Sequence, residues 1–140
     1  DAAFADRYEA QNHYERLLAG EIPVQGGWRV YSSGPGIAIG LVVGSLLGVR
    51  RSQSTLTIDP VMPTELSGLC VRVPLGPHTL TIEYLIGTNG CGTCGLQLNG
   101  SELSFTRGQN PYRIGAAEVA MPMLLERLLP GENHLRVLTY

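Results

Sequence analysis

Hydrophobic and polar positions along this chain follow two different periods, one in each part of its length. In residues 2–19, apolar side chains recur at helical spacing with charged residues between them, and Gly20 follows as a stop signal. Residues 37–49, with the sequence IAIGLVVGSLLGV, are the most apolar part of the chain but too short to span a bilayer, which needs about twenty residues. The pattern therefore predicts one helix over 2–19 and a second, buried helix over 37–49.

The second predicted helix carries a stripe of regularly spaced glycines, namely Gly36, Gly40, Gly44 and Gly48. On a helix this spacing lines the glycines along one face, where a neighbouring backbone can approach closely. Each glycine costs about 1 kcal/mol of helix stability relative to alanine, so we expect close packing against other helices to compensate. The sequence offers only the helix over 2–19 as a partner and begins at Asp1, which predicts a fragment of a longer chain.

From residue 55 onward the apolar positions alternate, as they do in strands with one buried face. Turn signals such as Asn99-Gly100 and Pro130-Gly131 separate the strand-like runs. These runs cover residues 56–58, 70–73, 78–84, 96–98, 101–106, 117–121 and 135–138. Strands with turn signals between them predict an antiparallel sandwich or barrel. The chain is therefore predicted to be α+β, with a helical part over 1–51 and a β domain over 52–140.

Charge and composition exclude two classes of partner and favour one compartment. The net charge is −2, and no basic run is longer than Arg50–Arg51, so neither nucleic acid nor a membrane surface is an expected partner. Residues 1–20 lack the features of a secretory signal. The three cysteines form an odd set that fits a reducing compartment, which predicts a cytoplasmic location.

Cys91 and Cys94 form a Cys-x-x-Cys motif within a glycine-rich run between two strand-like segments. A redox motif of this kind normally opens a helix, and a zinc site needs two further ligands at suitable spacing. The remaining candidates, Cys70, His78 and His134, are isolated in the sequence. The context favours a hairpin loop and predicts no metal site, while a redox pair and half a zinc site stay open as alternatives.

The most informative segment is GGWRVYSSGPGI at residues 26–37. Ser32 and Ser33 lie just before a predicted helix, where unpaired backbone N–H groups and the helix dipole favour an anion. Gly34 and Gly36 allow the backbone to approach a ligand closely. These residues form a candidate oxyanion site, and the alternative is an ordinary helix N-cap with a tight turn, which the same residue types serve.

Other residues near this segment have two interpretations each. Trp28 and Tyr31 have the apolar faces that stack on sugar rings, and they are equally suited to a core. Arg29 and Arg113 are candidates for an oxyanion contact or ordinary surface residues. Asp59 is the first carboxylate after this segment, although an aspartate before proline is typical of a turn at the end of a strand.

Several of these motifs together resemble a known family. GWRVYSSGPGI, the apolar helix, LTIDPVMP and SGLCVRV are similar to the C-terminal region of glycoside hydrolase family 94, and the later NPYRIGAAEVAM fits the same region. This family comprises inverting phosphorylases of β-linked glucosides, such as cellobiose phosphorylases and 1,2-β-oligoglucan phosphorylases. The Tyr-Ser-Ser-Gly-Pro-Gly motif is most similar to the 1,2-β-oligoglucan phosphorylases. The resemblance covers about residues 20–140.

The resemblance implies an (α/α)6 barrel followed by a jelly-roll-like β-sandwich, with the helix over 37–49 as the last barrel helix. Family members place Thr-Gly or a similar small pair against phosphate, and by position Ser32, Ser33 and Gly34 stand there in this chain. Trp28 and Tyr31 would then bind substrate. The general acid of the family is an aspartate earlier in the barrel, so no catalytic residue is expected in these 140 residues.

The implied function is that of the C-terminal part of an inverting β-glucoside phosphorylase, inactive as a separate fragment. Phosphate would serve as co-substrate with no further cofactor and no metal, since it is itself the nucleophile. The implied partners are an oligosaccharide, phosphate, the rest of the same polypeptide and, as is frequent in the family, a second copy in a homodimer. The alternative function is a non-catalytic carbohydrate-binding or structural β-sandwich module.

Overall fold

The structure is a computed structural model that describes residues 4–22 and 33–140. Its helices are α1 (Arg7–Asn12), α2 (Tyr14–Leu18), α3 (Ser33–Leu41) and α4 (Met121–Arg127). A π-helical turn, Val42–Leu46, continues α3, and a 3-10 turn covers Thr64–Leu66. The strands are β1 (Val49–Arg51), β2 (Thr55–Ile58), β3 (Cys70–Leu75), β4 (His78–Leu85), β5 (Thr93–Leu98), β6 (Ser101–Glu102), β7 (Thr106–Arg107), β8 (Ala117–Ala120) and β9 (Glu132–Thr139).

The chain divides into two compact units, Asp1–Pro35 and Gly36–Tyr140. In the first unit, the Asp6 carboxylate caps α1 by accepting hydrogen bonds from the backbone N–H groups of Tyr8 and Glu9. His13, at φ −119° and ψ 32°, separates α1 from α2. The single helix predicted over 2–19 is therefore two short helices, because the backbone leaves the helical conformation at one residue.

Nine strands in the second unit form two sheets. One has the order β1-β2-β8-β7 and the other β3-β4-β9-β5-β6. Neighbouring strands are antiparallel except β4 and β9, which run parallel from Thr79 opposite Glu132 to Leu85 opposite Leu138. The predicted α+β class, with a helical segment and an antiparallel-rich sandwich, is confirmed. The parallel pair was not predicted.

Alternation along the strands builds one apolar core shared by both sheets. In β9 the inward positions are Asn133, Leu135, Val137 and Thr139, and the residues between them face outward or are half-buried. Side chains from both sheets meet in a single cluster: Leu56 and Ile58 with Ala117 and Val119 from one sheet, and Leu80, Ile82, Tyr84, Leu96, Leu98, Leu135 and Val137 from the other. The core therefore lies between the sheets, as in a β-sandwich.

The apolar helix begins earlier and ends earlier than the sequence predicts. It covers Ser33–Leu46 as α3 and the π-helical turn, whereas the prediction was 37–49. Gly48 has a φ of +66° and ends the helical stretch, and Val49 already belongs to β1, which pairs with β2. A left-handed glycine just beyond a helix is a common stop signal, and here it also turns the chain into the first strand.

The apolar side chains of this helix face outward within the described residues. Ile37, Ile39 and Leu41 are 63%, 64% and 59% exposed. A Cβ added at Gly36, Gly40 or Gly44 would meet nothing within 4 Å in that part of the chain. None of the helices among residues 4–22 and 33–140 has the length and apolarity to cross a membrane.

Candidate functional site

Among the residues predicted to contact phosphate and sugar, the structure describes Ser33 and Gly34. Trp28, Arg29, Tyr31 and Ser32 are outside the described residues. Ser33 is the first residue of α3, and Gly34 is the second. Phosphate binding by Ser32, Ser33 and Gly34, and sugar binding by Trp28 and Tyr31, therefore stay predictions.

The strongest polar constellation that the structure describes is centred on Asp59, directly after β2. Asp59 is only 5% exposed. Arg113 forms a two-pronged ion pair with its carboxylate, Nη1 to Oδ1 at 2.5 Å and Nη2 to Oδ2 at 2.8 Å. Nη2 of Arg50 donates to the same Oδ2 at 3.1 Å. We refer to Arg50, Asp59 and Arg113 as the Asp59 cluster.

Electrostatics in the cluster keep Asp59 ionised. Burial by itself raises the pKa of this carboxyl group, but hydrogen bonds from Arg113 and Arg50, together with their charges, outweigh burial and lower the pKa below its ordinary value. A general acid needs a pKa near or above the working pH. Asp59 is therefore unsuited to protonate a leaving group, and its position after β2 agrees with the predicted turn at a strand end.

The cluster lies beside an open pocket of about 420 Å³ whose other lining residues are Leu41, Ser45, Leu46 and Val61. Leu41 comes from α3, Ser45 and Leu46 from the π-helical turn, and Val61 from the segment after β2. Arg113 comes from the connection between β7 and β8. Arg50 of β1 and Arg113 both bind the carboxylate of Asp59, so the direct chemical effect of the cluster is to fasten β1, the segment after β2 and the β7–β8 connection together.

Two side chains of the second unit reach the end of the apolar helix. Nη1 of Arg50 donates to the Gly44 carbonyl at 3.0 Å, and the hydroxyl of Tyr84 donates to the Leu47 carbonyl at 2.9 Å. Tyr84 is fully buried, and burial raises the pKa of its hydroxyl, so this group stays a donor. Sequence reasoning missed both contacts. The available signal was a tyrosine in an alternating strand, because a buried tyrosine usually needs a partner for its hydroxyl.

The Cys-x-x-Cys motif begins in the connection from β4 to β5 and ends within β5. Cys91 is half-buried and forms an isolated antiparallel bridge with Val61, and Cys94 is exposed within β5. The hairpin interpretation is wrong in one respect, since β9 lies between β4 and β5 and the two strands do not pair. Across residues 4–22 and 33–140, no group of three or more His, Cys, Asp or Glu side chains is arranged to hold a metal ion.

Fold and site together define the class of this chain as a β-sandwich domain that is fastened to the end of an apolar helix. The chain matches no protein-family model. It is 42% identical over 116 residues to the 1,2-beta-oligoglucan phosphorylase of Listeria innocua, an alignment that covers 83% of this chain and 10% of that protein. The chain thus spans about a tenth of the length of this relative. The predicted resemblance to a phosphorylase is confirmed.

Proposed function

We propose that this chain is the C-terminal part of an inverting phosphorylase that acts on β-linked gluco-oligosaccharides. The observation that carries the proposal is the 42% identity to a 1,2-beta-oligoglucan phosphorylase over most of this chain. The name of that relative specifies a 1,2-β-linked oligoglucan, and we propose the same substrate class for the complete enzyme. Because the chain spans only a tenth of the relative, most of the sugar-binding residues would belong to the rest of the polypeptide.

In the proposed reaction an oxygen of inorganic phosphate attacks the anomeric carbon from the face opposite the glycosidic bond. The bond from that carbon to the glycosidic oxygen breaks, and the departing oxygen takes a proton from a carboxylic acid. Inversion at a β-linked glucosyl unit gives α-glucose 1-phosphate and an oligosaccharide one unit shorter. Phosphate is the nucleophile, so the site needs an anion-binding loop in place of a second carboxylate.

The loop before α3 is our candidate for that anion site. Ser33 and Gly34 open a helix of nine residues, whose first backbone N–H groups have no partner within the helix. The helix dipole adds a partial positive charge at the same end. Ser32 precedes this first turn in the sequence, and its hydroxyl would supply a further hydrogen-bond donor to phosphate.

The general acid would come from the rest of the polypeptide. Asp59, the first carboxylate after the loop in the sequence, is held ionised by two arginines and does not suit the role. The exposed apolar face of α3 supports the same view of the whole protein. Its isoleucines and its stripe of glycines would pack against other helices, as expected of the last helix in a helical barrel.

We also propose that the enzyme is cytoplasmic and that, with phosphate as its co-substrate, it needs no cofactor. All three cysteines, Cys70, Cys91 and Cys94, are free thiols, and two of them are exposed. Free thiols on a surface fit a reducing compartment.

The phosphate loop is tested by Ser32→Ala in the full-length protein. We expect the KM for phosphate to rise about tenfold or more, because a hydrogen bond to a charged group contributes about 1.5–3 kcal/mol. The KM for the oligosaccharide should change little, since the substitution removes a donor to phosphate and leaves the sugar contacts in place. Steady-state phosphorolysis at varied phosphate and varied oligosaccharide separates the two constants.

Ser101→Ala is the matched control, because Ser101 is an exposed residue of β6 in the tight turn region of the sandwich. Its kinetics should equal those of the wild type. An unchanged KM for phosphate in Ser32→Ala would remove Ser32 from the phosphate site.

A further inference from the structure

The end of the apolar helix is held in place by hydrogen bonds from the β-sandwich. The last carbonyl groups of any helix lack partners within the helix and must find them elsewhere. Here the Leu46 carbonyl accepts a hydrogen bond from the backbone N–H of Val61 at 3.1 Å, and the Gly48 carbonyl accepts one from Asp59 at 2.9 Å. The Gly44 and Leu47 carbonyls accept from Arg50 and Tyr84, as described above. The sandwich therefore provides donors to four carbonyls within five consecutive residues.

Gly48 brings the helix end and the Asp59 segment into backbone contact. A Cβ at this position would lie 2.0 Å from the carbonyl carbon of Asp59 and 2.3 Å from the nitrogen of Pro60. The φ of +66° is also a conformation that residues other than glycine rarely adopt. The approach is therefore close enough to leave no room for a side chain, which fixes the helix end against the sandwich.

Arg50 links this contact to the Asp59 cluster. One nitrogen of its guanidinium donates to the helix carbonyl at Gly44, and another donates to Asp59. A positive charge is favourable at the C-terminal end of a helix because of the helix dipole. Asp59 is in turn held by the two-pronged pair with Arg113, so the partner of Arg50 has a fixed position.

We propose that Arg50 is a positioning residue for phosphate binding, acting through the apolar helix. This inference rests on the proposed function, in which the loop before α3 binds phosphate. The stretch Ser33–Leu46 is about 20 Å long at 1.5 Å per residue, so a tilt of about 3° at its held end moves the other end by about 1 Å. A displacement of that size in a binding group is enough to weaken catalysis strongly.

The first test is Arg50→Met in the full-length protein, which removes the link and leaves a side chain of similar length. We expect the KM for phosphate to rise roughly tenfold, within the range that a misplaced binding group produces, while the KM for the oligosaccharide stays nearly unchanged. The matched control is Arg136→Met, which breaks the Arg136–Glu83 ion pair on the β4–β9 face, distant in sequence from the helix. That control should leave both constants unchanged.

Arg50→Lys separates positioning from charge. A lysine keeps the positive charge, but its single nitrogen lacks the planar fork that spans the Gly44 carbonyl and Asp59. We expect it to restore only part of the phosphate affinity. Tyr84→Phe removes one hydrogen bond from the same helix end and leaves the shape of the side chain nearly unchanged. It should also raise the KM for phosphate. This second variant tests the proposal if Arg50→Met does not fold.

Hydrogen–deuterium exchange gives a readout that does not depend on phosphate chemistry. Amides of residues 37–47 should exchange faster in Arg50→Met than in the wild type or in Arg136→Met, because the helix end loses a partner. An unchanged KM for phosphate in folded Arg50→Met and Tyr84→Phe, with wild-type phosphorolysis intact, would overturn the positioning role alone. Absence of phosphorolysis in the wild type would overturn the proposed function and this inference with it.

Discussion

Asp59 shows how one residue acquires a structural task that its neighbours in sequence do not reveal. The dipeptide Asp-Pro predicts a turn, and the turn is present directly after β2. Its two partners, however, are nine and 54 residues away along the chain. No local pattern selects Arg50 and Arg113 from the ten arginines, so only the folded topology identifies this cluster.

Asp59→Asn should lower the free energy of unfolding by about 2 kcal/mol at neutral pH. That is below the ~3–5 kcal/mol typical of a fully buried pair, because Arg50 and Arg113 are partly exposed and water screens them. The pKa of Asp59 is lowered in the folded state, so its contribution is present above the unfolded pKa of about 3.9 and is lost as the pH falls through the folded value. Urea unfolding at neutral pH and below pH 4 measures both effects.

The wild type should therefore lose more stability than Asp59→Asn when the pH falls below about 4, and the two should converge. Glu83→Gln is a suitable control because it removes a carboxylate from a more exposed ion pair. If Asp59→Asn and Glu83→Gln gave the same small change, the cluster would have no special role in stability.

At the scale of elements, the sequence predicted the features that depend on neighbouring residues, such as tight turns. Asn99 and Gly100 have φ values of +51° and +82°, and the predicted tight turn joins β5 to β6. Helix α4 was missed because it is short and follows directly on β8, and strand β1 was missed because Val49 closes the apolar run that was assigned to the helix over 37–49. The parallel pairing of β4 with β9 joins segments about 50 residues apart, and hydrophobic alternation does not specify the direction of a partner strand.

Gly48→Ala should destabilise the chain by about 3 kcal/mol or more, because it combines a left-handed backbone with a direct clash against Asp59. Gly40→Ala is the matched control, since an added Cβ there meets nothing within 4 Å among the described residues. In the 140-residue chain this control should be neutral or slightly stabilising, because alanine favours a helix by about 1 kcal/mol over glycine. Thermal unfolding followed by circular dichroism compares the two, and equal midpoints would contradict the close approach at Gly48.

The sequence predicts more residues of the candidate phosphate site than the structure describes. Serine and glycine before an apolar run predicted a helix that begins at residue 37, and the helix begins four residues earlier, at Ser33. The residues that would touch phosphate and sugar are named by resemblance, and Trp28, Tyr31 and Ser32 lie outside the described residues. No sequence pattern predicted the hydrogen bonds that hold the C-terminal end of this helix, because they are tertiary contacts between distant segments.

At the scale of the whole molecule, this chain corresponds to a small part of the phosphorylase that it resembles. The similarity covers most of this chain and a tenth of the relative. The apolar face of α3 is exposed within the described residues, and the sandwich holds the end of that helix. The structure thus shows a sandwich that fixes the end of this helix, and in the proposed function the opposite end of the helix would meet phosphate.

The most direct measurement is phosphorolysis of a 1,2-β-linked gluco-oligosaccharide by the full-length protein, with the sugar products identified by NMR. We predict that α-glucose 1-phosphate forms at a rate that depends on phosphate, and that the 140-residue chain alone is inactive. Release of free glucose at a rate independent of phosphate, or formation of the β-anomer of the sugar phosphate, would contradict the account.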